Sequence, residues 1–238
     1  MYLTLQEFML ALDRHDNWLK QRSFGKRADF HNVERIPGLS SCNFTAADFR
    51  GVIIDGGLKG VDMRGADLRG VTLKDSKASN CKFAWADFSG ANLEKLEADT
   101  SDFSNCDLTG AMLKRARLKY LNYADLSKAN LEEACIRTGF LRGANLSGAN
   151  LTNADLSACD LTGADLSHCD LTGCSLDRAI LTGANLEGAK LFMTNLASTH
   201  LENANFTNAV LFGANFTLAK GLNNTIKKAK AFVVQKIK

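Results

Sequence analysis

The chain is poor in residues that interrupt regular backbone and in groupings that do chemistry. It carries one proline in 238 residues, where average usage is about 5%, so few irregular loops are expected. Its four histidines, His15, His31, His168 and His200, are widely separated and share no ligand set. Its seven cysteines include no CxxC pair and no Cys/His grouping at zinc spacing. No glycine-rich phosphate loop stands between a strand and a helix. No cofactor or metal is expected. No apolar run approaches the roughly 20 residues that span a bilayer. The start, Met1-Tyr2-Leu3-Thr4, lacks the basic flank and cleavage site of a secretory signal. A soluble, cytoplasmic protein with no membrane partner is the expectation.

Net charge is only +3, but it is unevenly spread. Residues 51–120 hold eleven Lys/Arg against ten Asp/Glu, residues 121–222 hold six against ten, and residues 223–238 hold five Lys and no acid. The chain therefore runs from a near-balanced stretch through a mildly acidic one to a basic tail.

What the chain has in quantity is one five-residue unit. From Ala144 it reads ANLSG, ANLTN, ADLSA, CDLTG, ADLSH, and so on to ANFTL, with earlier copies ADFRG (47–51), ADLRG (66–70), ADFSG (86–90) and CDLTG (106–110). Roughly 36 units fit between Cys42 and Leu218, with register slips near 57–60 and 121–123. The period excludes an α-helix: five steps of about 100° would scatter the leucines instead of aligning them. Within a unit, small–polar–large alternates as a short strand does, placing Ala and Leu inward and Asp/Asn outward. The two following residues suit a corner. An all-β solenoid follows, in which each coil pairs with the next and so satisfies its backbone groups.

The inward slots account for the cysteines. Cys42, Cys81, Cys106, Cys159, Cys169 and Cys174 stand where the unit has Ala, and Cys135 alone takes a polar slot; a free Cys is a small buried hydrophobe. The outward second position exchanges Asp for Asn freely along the chain. Asn is neither acid nor base, which argues against carboxylate catalysis, so the protein is not expected to be an enzyme.

These units resemble the pentapeptide-repeat family, and the likeness covers about three quarters of the chain. It implies a right-handed, four-sided β-helix of about nine coils with short helical caps at both ends. Thr4 and Glu7 form a capping-box pattern ahead of Phe8, Met9 and Leu12, and His15-x-x-Trp18-Leu19 resembles a lead-in common in bacterial members. The expected organisation is an N-terminal helical cap over 1–27, the β-helix over 28–222 with a loop at 33–41, and a basic C-terminal helix over 223–238. On that last helix Ile226, Ala229, Val233 and Ile237 share a stripe, and Phe232 joins them in a candidate interface. The stripe reads as a cap, or as a homodimer interface like that of the quinolone-resistance branch.

With no active site in view, function is sought on the surface. Phe192 and Phe212 occupy the same corner position twenty residues apart, so they stack on adjacent coils, either as a partner site or as packing against Phe232. Lys59, Arg64, Arg69 and Lys74 take successive corner positions around one coil, a basic collar. Tyr120 flanks the second slip, where a bulge is expected. The expected role is a non-catalytic scaffold binding an unknown protein partner in the bacterial cytoplasm. A DNA-mimic protector of a type II topoisomerase is the alternative, but it calls for a strongly acidic rod. Nucleic-acid binding is not expected, since basic residues and aromatics are not interleaved.

Overall fold

The computed structural model describes residues 4–222. Ile226, Ala229, Phe232, Val233 and Ile237 therefore lie outside the described residues. Among the described residues the chain is a parallel β-helix built from single-residue bridges, with three short strands and one helix, α1 (Leu5–Leu19). In most units the small residue and the Leu or Phe are buried, as at Ala144/Leu146 and Ala149/Leu151, while the residue between them bridges to the coils on either side. Four bridge columns run along the molecule. They pass through Asp125, Asn130, Cys135 and Tyr120, and over most of the length partners lie 20 residues apart, as in Asp125↔Asn145↔Asp165.

The outward Asp or Asn is a structural residue. Its Oδ1 accepts the amide two residues on, as in Ser127 N–H to Asp125 (2.9 Å) and Thr162 N–H to Asp160 (3.0 Å), fixing the corner as an Asx-turn. Both residue types supply that acceptor, which explains their exchange. Asn adds a donor toward the preceding coil: Asn145 to Asp125 at 3.2 Å and Asn205 to Asn185 at 3.0 Å. In the stack Asp48–Asp67–Asp87, arginines tie the aspartates together. Arg50 reaches Asp48 (2.6 Å) and Asp67 (3.5 Å), and Arg69 reaches Asp67 (2.7 Å) and Asp87 (3.6 Å).

Segment 33–41 is not a loop. It holds β1 (Arg35–Ser40), which pairs in parallel with β2 (Ile53–Lys59); β2 continues onto β3 (Ala78–Ser79). Ile36 and Leu39 are buried, so the segment earns its place in the wall by hydrophobic burial. The single proline fits because β1 is the outer strand of this three-stranded sheet, where a missing N–H is tolerated, and the register shifts beside it, between Pro37 and Leu39.

Both slips also sit upstream of the sequence estimate. Ile53 pairs with Thr72, a span of 19, while Leu58 pairs with Ala78, a span of 20. The first missing residue thus falls between Ile53 and Leu58, where β2 runs straight through the corner. At the second, Arg117 and Tyr120 stand in adjacent columns three positions apart, whereas their partners Cys135 and Phe140 stand five apart. The lost pair is the corner between Leu118 and Lys119; Leu121–Tyr123 belongs to a full unit.

α1 packs on the first coils. The Thr4–Glu7 capping box is formed, and Phe8, Ala11 and Leu12 lie against the core. The rings of Phe8, His15, Phe30 and Phe49 all meet Phe44, at centroid distances of 6.0, 5.9, 5.7 and 5.1 Å.

Candidate interaction surface

No helix among the described residues is long and apolar enough to cross a membrane. The reactive side chains are engaged in holding the fold. The thiols of Cys106, Cys159 and Cys169 donate to carbonyls of the preceding coil at 2.8–2.9 Å. Burial pushes the Cys159 and Cys169 thiols up to about 12 and raises the Cys106 and Cys174 thiols well above their ordinary range, which suppresses the nucleophilic thiolate. Asp29, His31 and Asp48 bring ligand-type atoms within 4.8 Å of one another. Asp48 is nevertheless buried against Arg50, whose hydrogen bonds hold its carboxyl below the usual carboxylate range, with Arg27 at 3.7 Å.

The basic collar is largely neutralised. Arg64 binds Asp62 at 2.7 Å, Arg69 binds Asp67, and Lys74 binds Glu94 at 2.7 Å, while Lys59 has no ion-pair partner among the described residues. Phe192 and Phe212 do meet across adjacent coils, with centroids 6.4 Å apart and planes tilted by 51°. Both are exposed, and the neighbouring Met193 more so. Phe232, the packing partner considered for them, lies outside the described residues.

Tyr120 stands not on a corner but in a bridge column, in a position that elsewhere is commonly Asp or Asn. Phe140 follows in the next coil, and the two rings stack at 5.5 Å with an interplanar angle of 11°. Lys119 lies with its ammonium 5.8 Å from the Tyr120 centroid and 5.9 Å from that of Phe140, a cation–π arrangement. Trp85 and Tyr123, both well exposed, occupy corners bordering the same column, and Ile180 continues it. Phe140, Trp85 and Tyr123 were not singled out from the sequence. The signal available for Phe140 was an aromatic in the Asp/Asn slot of Gly139-Phe140-Leu141-Arg142-Gly143.

Eight copies of the model for pentapeptide repeats match the chain, over residues 58–94, 86–119, 101–138, 124–163, 159–192 and 194–220. Comparison with curated protein sequences gives no match. Among solved structures the chain is similar to HetL, a pentapeptide repeat protein involved in heterocyst differentiation regulation from the cyanobacterium Nostoc sp. strain PCC 7120. The identity is 26% with a TM-score of 0.61, over 96% of this chain and 97% of that one. It is similar to Rfr23 from the cyanobacterium Cyanothece 51142 at 31% identity and TM-score 0.32, over 41% of this chain and 61% of that one. QnrB1, a plasmid-mediated fluoroquinolone resistance protein, is similar at 17% identity and TM-score 0.49, over 85% and 90%. With repeats matched from residue 58 to residue 220, the chain belongs to the pentapeptide-repeat family, whose solved members are right-handed β-helices.

Proposed function

We propose that this protein is a non-catalytic scaffold that binds another protein in the bacterial cytoplasm. Its working surface is carried on a four-sided β-helix of about nine coils, with α1 capping the first. One observation carries the reading: exposed aromatic pairs, Tyr120/Phe140 and Phe192/Phe212, stand at outward positions that the coil fills elsewhere mostly with polar or charged residues. Exposed apolar clusters on a hydrophilic wall mark binding sites. The outward carboxylates are absorbed in corners and arginine ties, and the buried thiols are held protonated, so both support a binding role over a catalytic one. The likeness to HetL, described as acting in regulation, fits the same role. The topoisomerase-mimic reading is weaker, because Arg50, Arg64 and Arg69 neutralise the very aspartates that would present a DNA-like charge.

The test is a pull-down from the native cytoplasm with wild type, Phe192→Ser/Phe212→Ser and Tyr120→Ser/Phe140→Ser. All four side chains are exposed, so the variants keep the fold, which circular dichroism verifies. Loss of a specific partner from either double variant supports the scaffold. A wild type that retains no partner under any condition sinks it.

A further inference from the structure

The missing corner between Leu118 and Lys119 does more than shorten a coil; it opens a notch in the wall. Between Ala46 and Ser198 the second residue of a corner normally donates its amide to the coil that follows, as Asn105 does to Asn122 and Tyr123 to Arg142. Thr100, at the corner facing the gap, has no such acceptor among the described residues. The amides of Lys119 and Tyr120 likewise find no hydrogen-bond partner among the described residues, and the Asn80 amide turns to the Thr100 hydroxyl at 3.1 Å. Exposed backbone donors left in this way form a ready seat for an anion.

The side chains agree with the backbone. A cavity of about 360 Å³ is lined by Asp99, Thr100, Arg117, Lys119, Tyr120 and Arg137, among others: three cations against one acid. Arg117 meets Asp99 only at 3.5 Å, and Arg137 meets Asp155 only at 3.7 Å, so both guanidinium groups keep donors to spare. Lys119 has no carboxylate partner; it occupies a slot that is otherwise small and inward, and its ammonium emerges over the Tyr120 and Phe140 rings. A cation-lined pocket and an apolar platform thus lie side by side.

We infer that this notch is the docking site for an acidic peptide segment of a partner protein, one in which a carboxylate side chain is followed by an apolar or aromatic residue. The carboxylate enters the notch, where Arg117, Lys119 and Arg137 surround it and the Thr100 and Lys119 amides line the wall. The neighbouring residue lies on the Tyr120–Phe140 stack. The inference rests on the scaffold reading and assigns it an address and a ligand chemistry.

The decisive variant repairs the wall: insertion of Thr-Gly between Leu118 and Lys119 together with Lys119→Ala, read against Lys119→Ala alone. It restores a full unit and a 20-residue coil, gives the Thr100 amide an acceptor, returns a small residue to the inward slot and leaves Arg117 and Arg137 in place, so it folds while closing the notch. Binding of a fluorescein-labelled Asp-Glu-Phe-Asp-Glu peptide is read by anisotropy, with Lys-Lys-Phe-Lys-Lys and a labelled single-stranded oligonucleotide as controls. The acidic peptide is expected to bind the full chain. The insertion and Lys119→Glu are each expected to weaken it by about tenfold or more, as for a charge reversed within a contact, and Tyr120→Ser/Phe140→Ser to weaken it as well. An insertion variant that binds the peptide as tightly as Lys119→Ala alone overturns the proposal. So does an oligonucleotide that binds in its place with the same residue dependence, or an acidic peptide that fails to bind. A photo-crosslinking residue placed at 120 or at 212 in cells separates the two readings. Partners captured through 212 alone leave the scaffold standing and remove the notch, whereas none through either position removes both.

Discussion

Phe44→Ala is the substitution with the most to say about how the first coils are closed. The ring is fully buried and sits at the junction of two layers. Phe30 and Phe49 come from the coil wall, at 5.7 and 5.1 Å, and Phe8 and His15 come from α1, at 6.0 and 5.9 Å. Removing a buried Phe costs about 3–5 kcal/mol, and every tenfold in an equilibrium is about 1.4 kcal/mol. In a solenoid each coil leans only on its neighbours, so the loss stays local. Hydrogen exchange of the α1 amides should therefore quicken by about two to three and a half powers of ten, while amides of the coil around Leu156 keep their rates. Trp18, stacked on His15 at 5.4 Å, provides a second reading through a red-shifted emission. Protection of α1 that changes less than tenfold, or falls equally at Leu156, would refute the idea that this ring couples helix and coil.

Two further expectations concern titration and reactivity. His15 is buried, its Nδ1 accepts the Ala28 amide at 3.1 Å and its Nε2 makes no hydrogen bond among the described residues. Burial lowers its pKa, assisted by Arg27 and opposed by the Thr45 carbonyl and Asp16. The folded chain thus binds that proton later than the unfolded one, so the stabilisation is full above about pH 6.5 and declines as pH falls toward the lowered folded value. Exchange protection of α1 should drop between pH 7.5 and 5.0 in wild type and flatten in His15→Gln; a wild type that gains protection on acidification has the sign wrong. For the cysteines, a thiol pushed up to about 12 is ionised in about one molecule in ten thousand at pH 8. Iodoacetamide mass mapping should therefore find Cys135, half-buried and outward, labelled well before Cys159 and Cys169. Equal labelling of the three would count against closed coils.

The parts of this fold that could be read from the sequence are those that face inward. Ala144 and Leu146 repeat because a coil has room for one small and one large residue per unit, and the same rule placed Cys106, Cys159 and Cys169 in the core. The family likeness followed from the same residues. β1 was missed because Pro37-Gly38 carries a turn signature, and only the pairing with β2 shows that this proline occupies an outer strand. The collar of Arg64, Arg69 and Lys74 could be listed from corner spacing, but not its neutralisation, since Lys74 meets Glu94 a full coil away.

The second slip shows why local pattern stops short of function here. Ala116-Arg117-Leu118-Lys119-Tyr120 satisfies small–polar–large–polar–any, so the pattern accepts it as a complete unit and assigns the deficit to Leu121–Tyr123. Hydrogen bonds reject that reading: Leu121 donates to the Phe140 carbonyl and Phe140 donates to that of Lys119, a register possible only if Tyr120 bridges and Lys119 takes the small slot. A lysine in that slot next to an intact wall would be a buried, unpaired charge, costly enough to exclude. Losing the corner removes the obstacle, because the ammonium can leave through the gap and rest against two rings. The short coil, the misplaced lysine and the aromatic pair are therefore one device. The pair Tyr120 and Phe140 has a use on this wall only because the two residues after Leu118 are gone, and for that reason the insertion that restores them tests the function of the site as well as its geometry.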